Sequence, residues 1–218
     1  MAKTEYLVSR LAHFMMNNST IRIIEKPDWV SWENIKQCLF EAHAQNRAKG
    51  INMTHYLWPA EKIKESLGEK GIMLVALDGE KVVGTAAIAD KTGTSWYANG
   101  RYAYVCFGAV IPDYAGKGVF KCLDKKRESV ARERGYSVLV FDTHSKNVYR
   151  QEIARKQGFR YVRFFHAKSG DHNSVVMAKW LRGNSYSQGY CIYRYQISKW
   201  KTLLRFFLNL LAKTWQRS

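Results

Sequence analysis

Val110-Ile111-Pro112-Asp113-Tyr114-Ala115-Gly116-Lys117-Gly118 closes one kind of structure and opens another. The run before it, Tyr102 to Ile111, is β-branched and aromatic and suits a central strand. Pro112 ends that strand, because proline has no N–H to give to a ladder. From Gly118 to about Arg134 the residues Val119, Leu123, Val130 and Ala131 mark one apolar helical face, and Gly135 supplies the stop. A strand that runs through Gly116 and Gly118 into a helix aims backbone N–H groups and a helix N-terminus at one point, which suits a diphosphate. A tight turn with no ligand uses the same spacing, so the neighbours must decide.

Downstream, Val138 to Phe141 forms a short buried strand, Asn147 to Gln157 a helix ended by Gly158, and Phe159 to Phe165 and Ser174 to Trp180 two more strands. Upstream, Ile72 to Leu77 and Lys81 to Ile88 flank Asp78-Gly79-Glu80, a hairpin signal. Earlier still, Ile21 to Ile24 reads as a strand. Trp32, Ile35, Cys38, Leu39 and Ala42 follow helical spacing, and a short helix after Pro59 carries Ile63 and Leu67. This order predicts an α/β (α+β) sheet with a parallel step in its middle. We expect an N-terminal extension over 1–20, one domain over 21–182 and a basic tail over 183–218.

With 35 Lys and Arg against 18 Asp and Glu, the net charge of +17 calls for an anionic partner. Nucleic acid, anionic lipid and phosphorylated small molecules all qualify, though no nucleic-acid recognition motif accompanies the charge. Cys38, Cys106, Cys122 and Cys191 are too scattered for a metal site and read as buried free thiols. The start of the chain lacks the layout of a secretory signal, and no apolar run approaches the roughly 20 residues of a spanning helix. Both features lead us to expect a cytoplasmic protein.

The succession of strand, glycine turn, helix, strand, Asn-led helix and Gly158-Phe159 resembles the GNAT acetyltransferase superfamily, most strongly between Val110 and Phe159. The resemblance implies a mixed sheet whose two central parallel strands splay apart, with the pantetheine arm of acetyl-CoA, or another acyl-CoA, lying in the gap. It implies that backbone atoms of Val110 and Ile111 pair with that arm. Ala115, Gly116, Lys117, Gly118, Val119 and Phe120 would then hold the pyrophosphate, and Asn147 would bond the pantetheine. The activity implied is transfer of an acyl group to a small-molecule amine, without a metal.

Three positions depart from the family pattern. The loop's Arg or Gln is Ala115 here and its last small residue is Phe120, so Lys117 and Lys121 are the candidates to restore positive charge. Seven residues after Asn147, where many members carry a tyrosine that protonates the departing thiolate, stands Ala154. Tyr149 and Tyr161 are the candidate substitutes. Direct attack by an amine also needs a base. Asp142 and His144, at the end of the next strand, are the best placed in sequence, with His166, Glu41 and His43 more remote. The plain alternatives are a capping carboxylate for Asp142 and a solvated loop histidine for His144. A domain that keeps the coenzyme pocket but has lost efficient catalysis is the second function these departures permit.

The tail carries no acid after Asp171. Ser198, Lys201, Arg205, Asn209, Lys213 and Gln216 recur on one face, against Trp200, Leu203, Leu204, Phe207, Leu208, Leu210 and Leu211 on the other. This predicts an amphipathic helix over 198–217 that packs on the domain, pairs with a second copy in a homodimer, or lies on the inner face of an anionic membrane. In the last case the acceptor belongs to the cell envelope, as an amino sugar or a lipid-linked amine.

Overall fold

The computed structural model describes residues 21–51, 54–167, 172–182 and 186–215, with side chains to residue 208 except those of residues 54 and 56. The expected 1–20 extension and the tail side chains of Asn209, Leu210, Leu211, Lys213 and Gln216 lie outside that description. In chain order the elements are β1 (Arg22–Glu25), α1 (Trp32–Ala42), α2 (Ala44–Ala48), a 3-10 turn (Thr54–Leu57), α3 (Ala60–Ser66), β2 (Ile72–Asp78), β3 (Lys81–Ser95) and β4 (Ala98–Val110). After a second 3-10 turn (Pro112–Tyr114) come α4 (Val119–Glu133), β5 (Val138–His144), α5 (Val148–Lys156), β6 (Arg160–His166), β7 (Asn173–Trp180) and α6 (Gln188–Trp215).

The seven strands form one mixed sheet in the order β1-β2-β3-β4-β5-β7-β6. Its first half is built from local signals. Gly79, with φ of 59°, makes the turn between β2 and β3. Ser31 caps α1, accepting from the N–H of Asn34 at 3.1 Å while Asn34 Oδ1 accepts from the N–H of Ser31 at 3.0 Å. β3 and β4 run further than expected, pairing from Gly84↔Val110 to Ser95↔Ala98 across the turn at Trp96-Tyr97.

The β4–β5 pair is parallel, as the order of elements requires, and it is short. Only Ala103↔Leu139 and Tyr104↔Val140 are in register. β5 is paired along its whole length with β7 on its other side, so the edge left without a strand partner belongs to the second halves of β4 and β5. The closed end of this wedge is held by a polar cluster. Arg101 Nε donates to Asp90 at 2.6 Å, and the Tyr136 hydroxyl donates to the same Asp90 oxygen at 2.6 Å. Burial pushes the Asp90 carboxyl up, but Tyr136 and Arg101 outweigh it and hold the group below its usual range.

Cys38 and Cys191 are buried and Cys106 is half-buried, but Cys122 is exposed on α4, which corrects the expectation of four buried thiols. Cys122 lies one residue before Leu123, whose side chain fills the core, and so falls off the apolar stripe.

Candidate active site

β4 is bent at the mouth of the wedge. Its register with β3 shifts between Thr85 and Ala87, and Phe107 adopts φ of 49°, a left-handed conformation that a bulky residue holds only when its surroundings enforce it. The enforcing contacts are identifiable. Buried Thr85 donates its hydroxyl to the Phe107 carbonyl at 2.7 Å, and the Phe107 ring packs edge-on against His55 and Trp58 at 5.5 and 6.3 Å. The bulge therefore fixes how β4 leaves β5.

Beyond the bulge, Ile111 donates its N–H to the Val83 carbonyl at 3.0 Å and accepts from the N–H of Tyr114 at 3.0 Å. The Ile111 N–H is thus committed to β3, and of its backbone groups only the carbonyl keeps a lone pair for a ligand. Neighbouring residues in a strand aim their backbone groups at opposite edges, so those of Val110 are turned toward the wedge. Gly116 and Gly118 have φ of 76° and 80° in an exposed loop. Gly118 is the N-cap of α4, and no side chain caps that helix. The first N–H groups of α4 are free to meet an anion. Lys117 lies over the Tyr114 ring at 4.9 Å, and Val119 is buried beneath the loop.

Phe120 lies against β4. A Cβ built on Gly108 meets its ring at 3.2 Å, so that ring lies directly on the β4 backbone, and the guanidinium of Arg150 stands 5.1 Å from its centroid. Asn147 is the N-cap of α5. Its Oδ1 accepts from the Arg150 N–H at 3.3 Å and its Nδ2 lies 3.4 Å from the Thr143 hydroxyl.

Asp142 and His144 both lie inside β5, not in a loop after it. The Tyr104 hydroxyl donates to Asp142 Oδ1. Burial raises the Asp142 carboxyl above its usual range, while the Tyr104 bond and nearby His172 pull it back only in part. Burial, then Asp142, drives the Tyr104 phenol well above its ordinary value, so it stays protonated. His144 is buried, stacked on His172 at 4.6 Å, and its Nδ1 accepts the Lys146 N–H at 3.0 Å. Burial lowers its pKa, with His172 and Lys146 adding to the effect. A neutral ring accepting at Nδ1 carries its proton on Nε2, leaving no free lone pair for a base.

The remaining candidates are placed elsewhere. Tyr149 is 76% exposed on α5. Tyr161 donates to Gln151 Oε1 at 3.1 Å and tilts against Tyr195 of α6. Ala154 is buried in the core, and His166 is an exposed strand end near Asn173. His43 is buried edge-on to His55 at 5.3 Å, and burial lowers these rings to about 4 and about 3. Tyr104, Phe107 and Arg150 belong to no motif that marks them in the sequence. The only local signal was for Arg150, which falls one helical turn after Asn147. Among the described residues no group of three or more His, Cys, Asp or Glu is arranged to hold a metal ion.

The sequence and the fold are similar to those of known proteins. The sequence matches the Acetyltransferase (GNAT) family over residues 29–159. The fold resembles an N-acetyltransferase from Staphylococcus aureus Mu50, with a TM-score of 0.59 at 15% identity over 74% of this chain and 98% of that one. It also resembles the ribosomal-protein-S18-alanine N-acetyltransferase of Escherichia coli, with a TM-score of 0.56 at 15% identity over 77% and 98% of the two chains. An aminoglycoside 6'-N-acetyltransferase complexed with coenzyme A gives 0.55 at 14% identity over 76% and 99%. No curated protein matches the sequence. The family match spans more than half of the chain and includes both central strands and the glycine loop, so this protein belongs to the GNAT acetyltransferase family.

Proposed function

We propose that this chain is an N-acyltransferase that moves an acyl group, acetyl in the simplest case, from coenzyme A to an amine. One observation carries the reading: the β4–β5 wedge opens where the uncapped N-terminus of α4 and the Tyr104–Asp142 pair both stand. The backbone of Val110 and the amides from Ala115 to Phe120 would hold the coenzyme. Asn147, whose Oδ1 is engaged in capping α5, keeps only its amide nitrogen for the pantetheine. The thioester supplies an activated acyl carbon.

Asp142 is the base in this reading. An acceptor ammonium must lose a proton before its nitrogen attacks, and Asp142 accepts it. Tyr104 is a positioning residue that holds Oδ1. The new C–N bond forms as the C–S bond breaks, and the thiolate leaves with an aqueous pKa of about 8.5, so acid assistance at the place of Ala154 is dispensable at a cost in rate.

The acceptor we propose is an amino sugar or lipid-linked amine of the cell envelope, met at the inner face of an anionic membrane. The support is how α6 is mounted. Buried Cys191 and half-buried Tyr195, Ser198 and Thr202 face the domain, with Ser198 Oγ accepting the Phe164 N–H of β6 at 2.7 Å. At about 100° per residue, Trp200, Leu204 and Phe207 lie on the opposite side, and all three are exposed, Trp200 by 72%. Lys199 and Lys201 flank them, which suits an interfacial helix. No helix of the described residues is long and apolar enough to cross a membrane.

The second reading, a coenzyme-binding module without efficient turnover, is favoured by the Phe120 ring on Gly108 and by Ala154. Thiol release from acetyl-CoA over a panel of amino sugars and amines separates the two. Amine-dependent release supports the enzyme, and coenzyme binding without release on any amine supports the module.

A further inference from the structure

Arg150 is a largely buried cation, its side chain 18% exposed, and among the described residues it has no hydrogen-bonded counterion. It stands in the first turn of α5, its guanidinium 4.6 Å from the Phe141 ring and 5.1 Å from the Phe120 ring. Its Nη1 is shielded from solvent and has no hydrogen-bond partner. The nearest acid, Asp124, is 3.9 Å from that nitrogen, and both Asp124 oxygens are already engaged. Oδ1 accepts from Arg127, and Oδ2 accepts from Gln157 Nε2 at 2.8 Å. Two guanidinium groups thus share one carboxylate. Burial, with Arg127 adding to it, lowers Arg150 to about 10, so the group remains charged at neutral pH.

A buried charge of this kind is costly unless something compensates it. Both residues stand in first turns: Phe120, whose ring the guanidinium faces, is the second residue of α4, and Arg150 is the third of α5. The start of α4 and this under-compensated cation therefore both favour an anion between them. The glycine loop runs into α4, and its own side chain at the expected cationic position is Ala115.

We infer that Arg150 is the residue that binds the phosphate groups of the coenzyme, supplying from α5 the positive charge that Ala115 does not supply from the loop. The inference rests on the coenzyme reading above and adds to it the identity of the anion-binding side chain. Arg150 holds the anion through Nη1, and the Phe120 and Phe141 faces keep the guanidinium extended between the two helices.

The test is Arg150→Met in the full chain, because methionine fills the space between two rings without a charge. Thermal melts are run beside titrations with coenzyme A, dephospho-coenzyme A, pantetheine and inorganic pyrophosphate. The expected result is a melting temperature equal to or above that of the wild type, a loss of at least tenfold in affinity for coenzyme A and for pyrophosphate, and unchanged affinity for pantetheine. The dephospho form tells the diphosphate from the 3'-phosphate: a tenfold loss there as well assigns Arg150 to the diphosphate. Equal coenzyme A affinity in the wild type and the variant overturns the inference while leaving the coenzyme reading intact. Pyrophosphate binding lost in the variant, with no coenzyme binding by the wild type, keeps the anion site and removes that reading.

Discussion

The hydroxyl of Tyr104 on β4 donates to the carboxylate of Asp142 on β5, just past Tyr104↔Val140, the last pair that joins the two strands. Because this bond favours the ionised carboxylate while burial opposes it, Asp142 titrates above an ordinary aspartate. A base acts only when ionised, so kcat/KM rises with pH through this raised value. Asp142→Asn lowers kcat by roughly 10²–10⁴-fold with coenzyme affinity unchanged. Tyr104→Phe removes the bond that pulls the pKa down and moves the ascending limb to higher pH. A pH–rate profile of the three proteins checks both, and an unshifted limb in Tyr104→Phe contradicts the assignment.

Thr85 holds the bulge of β4 from a fully buried position by its bond to the Phe107 carbonyl. Thr85→Val keeps the shape and leaves that carbonyl without its donor, which costs about 1–3 kcal/mol. Urea unfolding measures the loss. Since the bulge sets the departure of β4 from β5, coenzyme affinity falls in the same variant.

His43 and His55 are held neutral by burial, at about 4 and about 3 against 6.5 for a free histidine. The unfolded chain binds these protons below pH 6.5 and the folded chain does not. Stability from this source is therefore full above pH 6.5 and is lost as pH falls toward 4, by about 1.4 kcal/mol per pH unit for each ring. Denaturant melts at pH 7.5 and pH 5.0 measure it. His55→Phe, which keeps an aromatic ring beside Phe107, loses less stability between the two pH values than the wild type.

The exposed face of α6 is predicted to bind anionic bilayers. In a flotation assay the intact chain rises with vesicles rich in phosphatidylglycerol and stays behind with phosphatidylcholine alone. Leu204→Glu with Phe207→Glu abolishes flotation without changing the melting temperature, because neither side chain packs on the domain. Equal recovery of both proteins with the anionic vesicles contradicts the membrane reading, and a concentration-dependent dimer lost in the variant points to a second copy instead.

Features built from near neighbours were legible in the sequence. The hairpin at Gly79, the turns at Gly116 and Gly118 and the cap at Asn147 each depend on one residue's own backbone or side chain. Features built across the fold were not. Tyr104 alternates along β4 like any strand aromatic, and only the register of β4 on β5 brings it to Asp142. The left-handed Phe107 has no sequence signature, because Thr85, His55 and Trp58 impose it from other elements. The alternation of α6 was plain, yet the sequence pointed no more to one face than the other as the packing face. The small residues Cys191, Ser198 and Thr202 settle on β6 because they let the helix approach its backbone.

The proposed function requires a coenzyme thioester in the β4–β5 wedge, with its phosphates over the start of α4. A crystal structure of the full chain with coenzyme A tests it most directly. The pantetheine is expected along β4 with its amides on Val110, the diphosphate at the amides of Gly118 to Phe120 and at Arg150, and the sulfur facing Asp142. Coenzyme bound elsewhere, with Phe120 still seated on Gly108, overturns it.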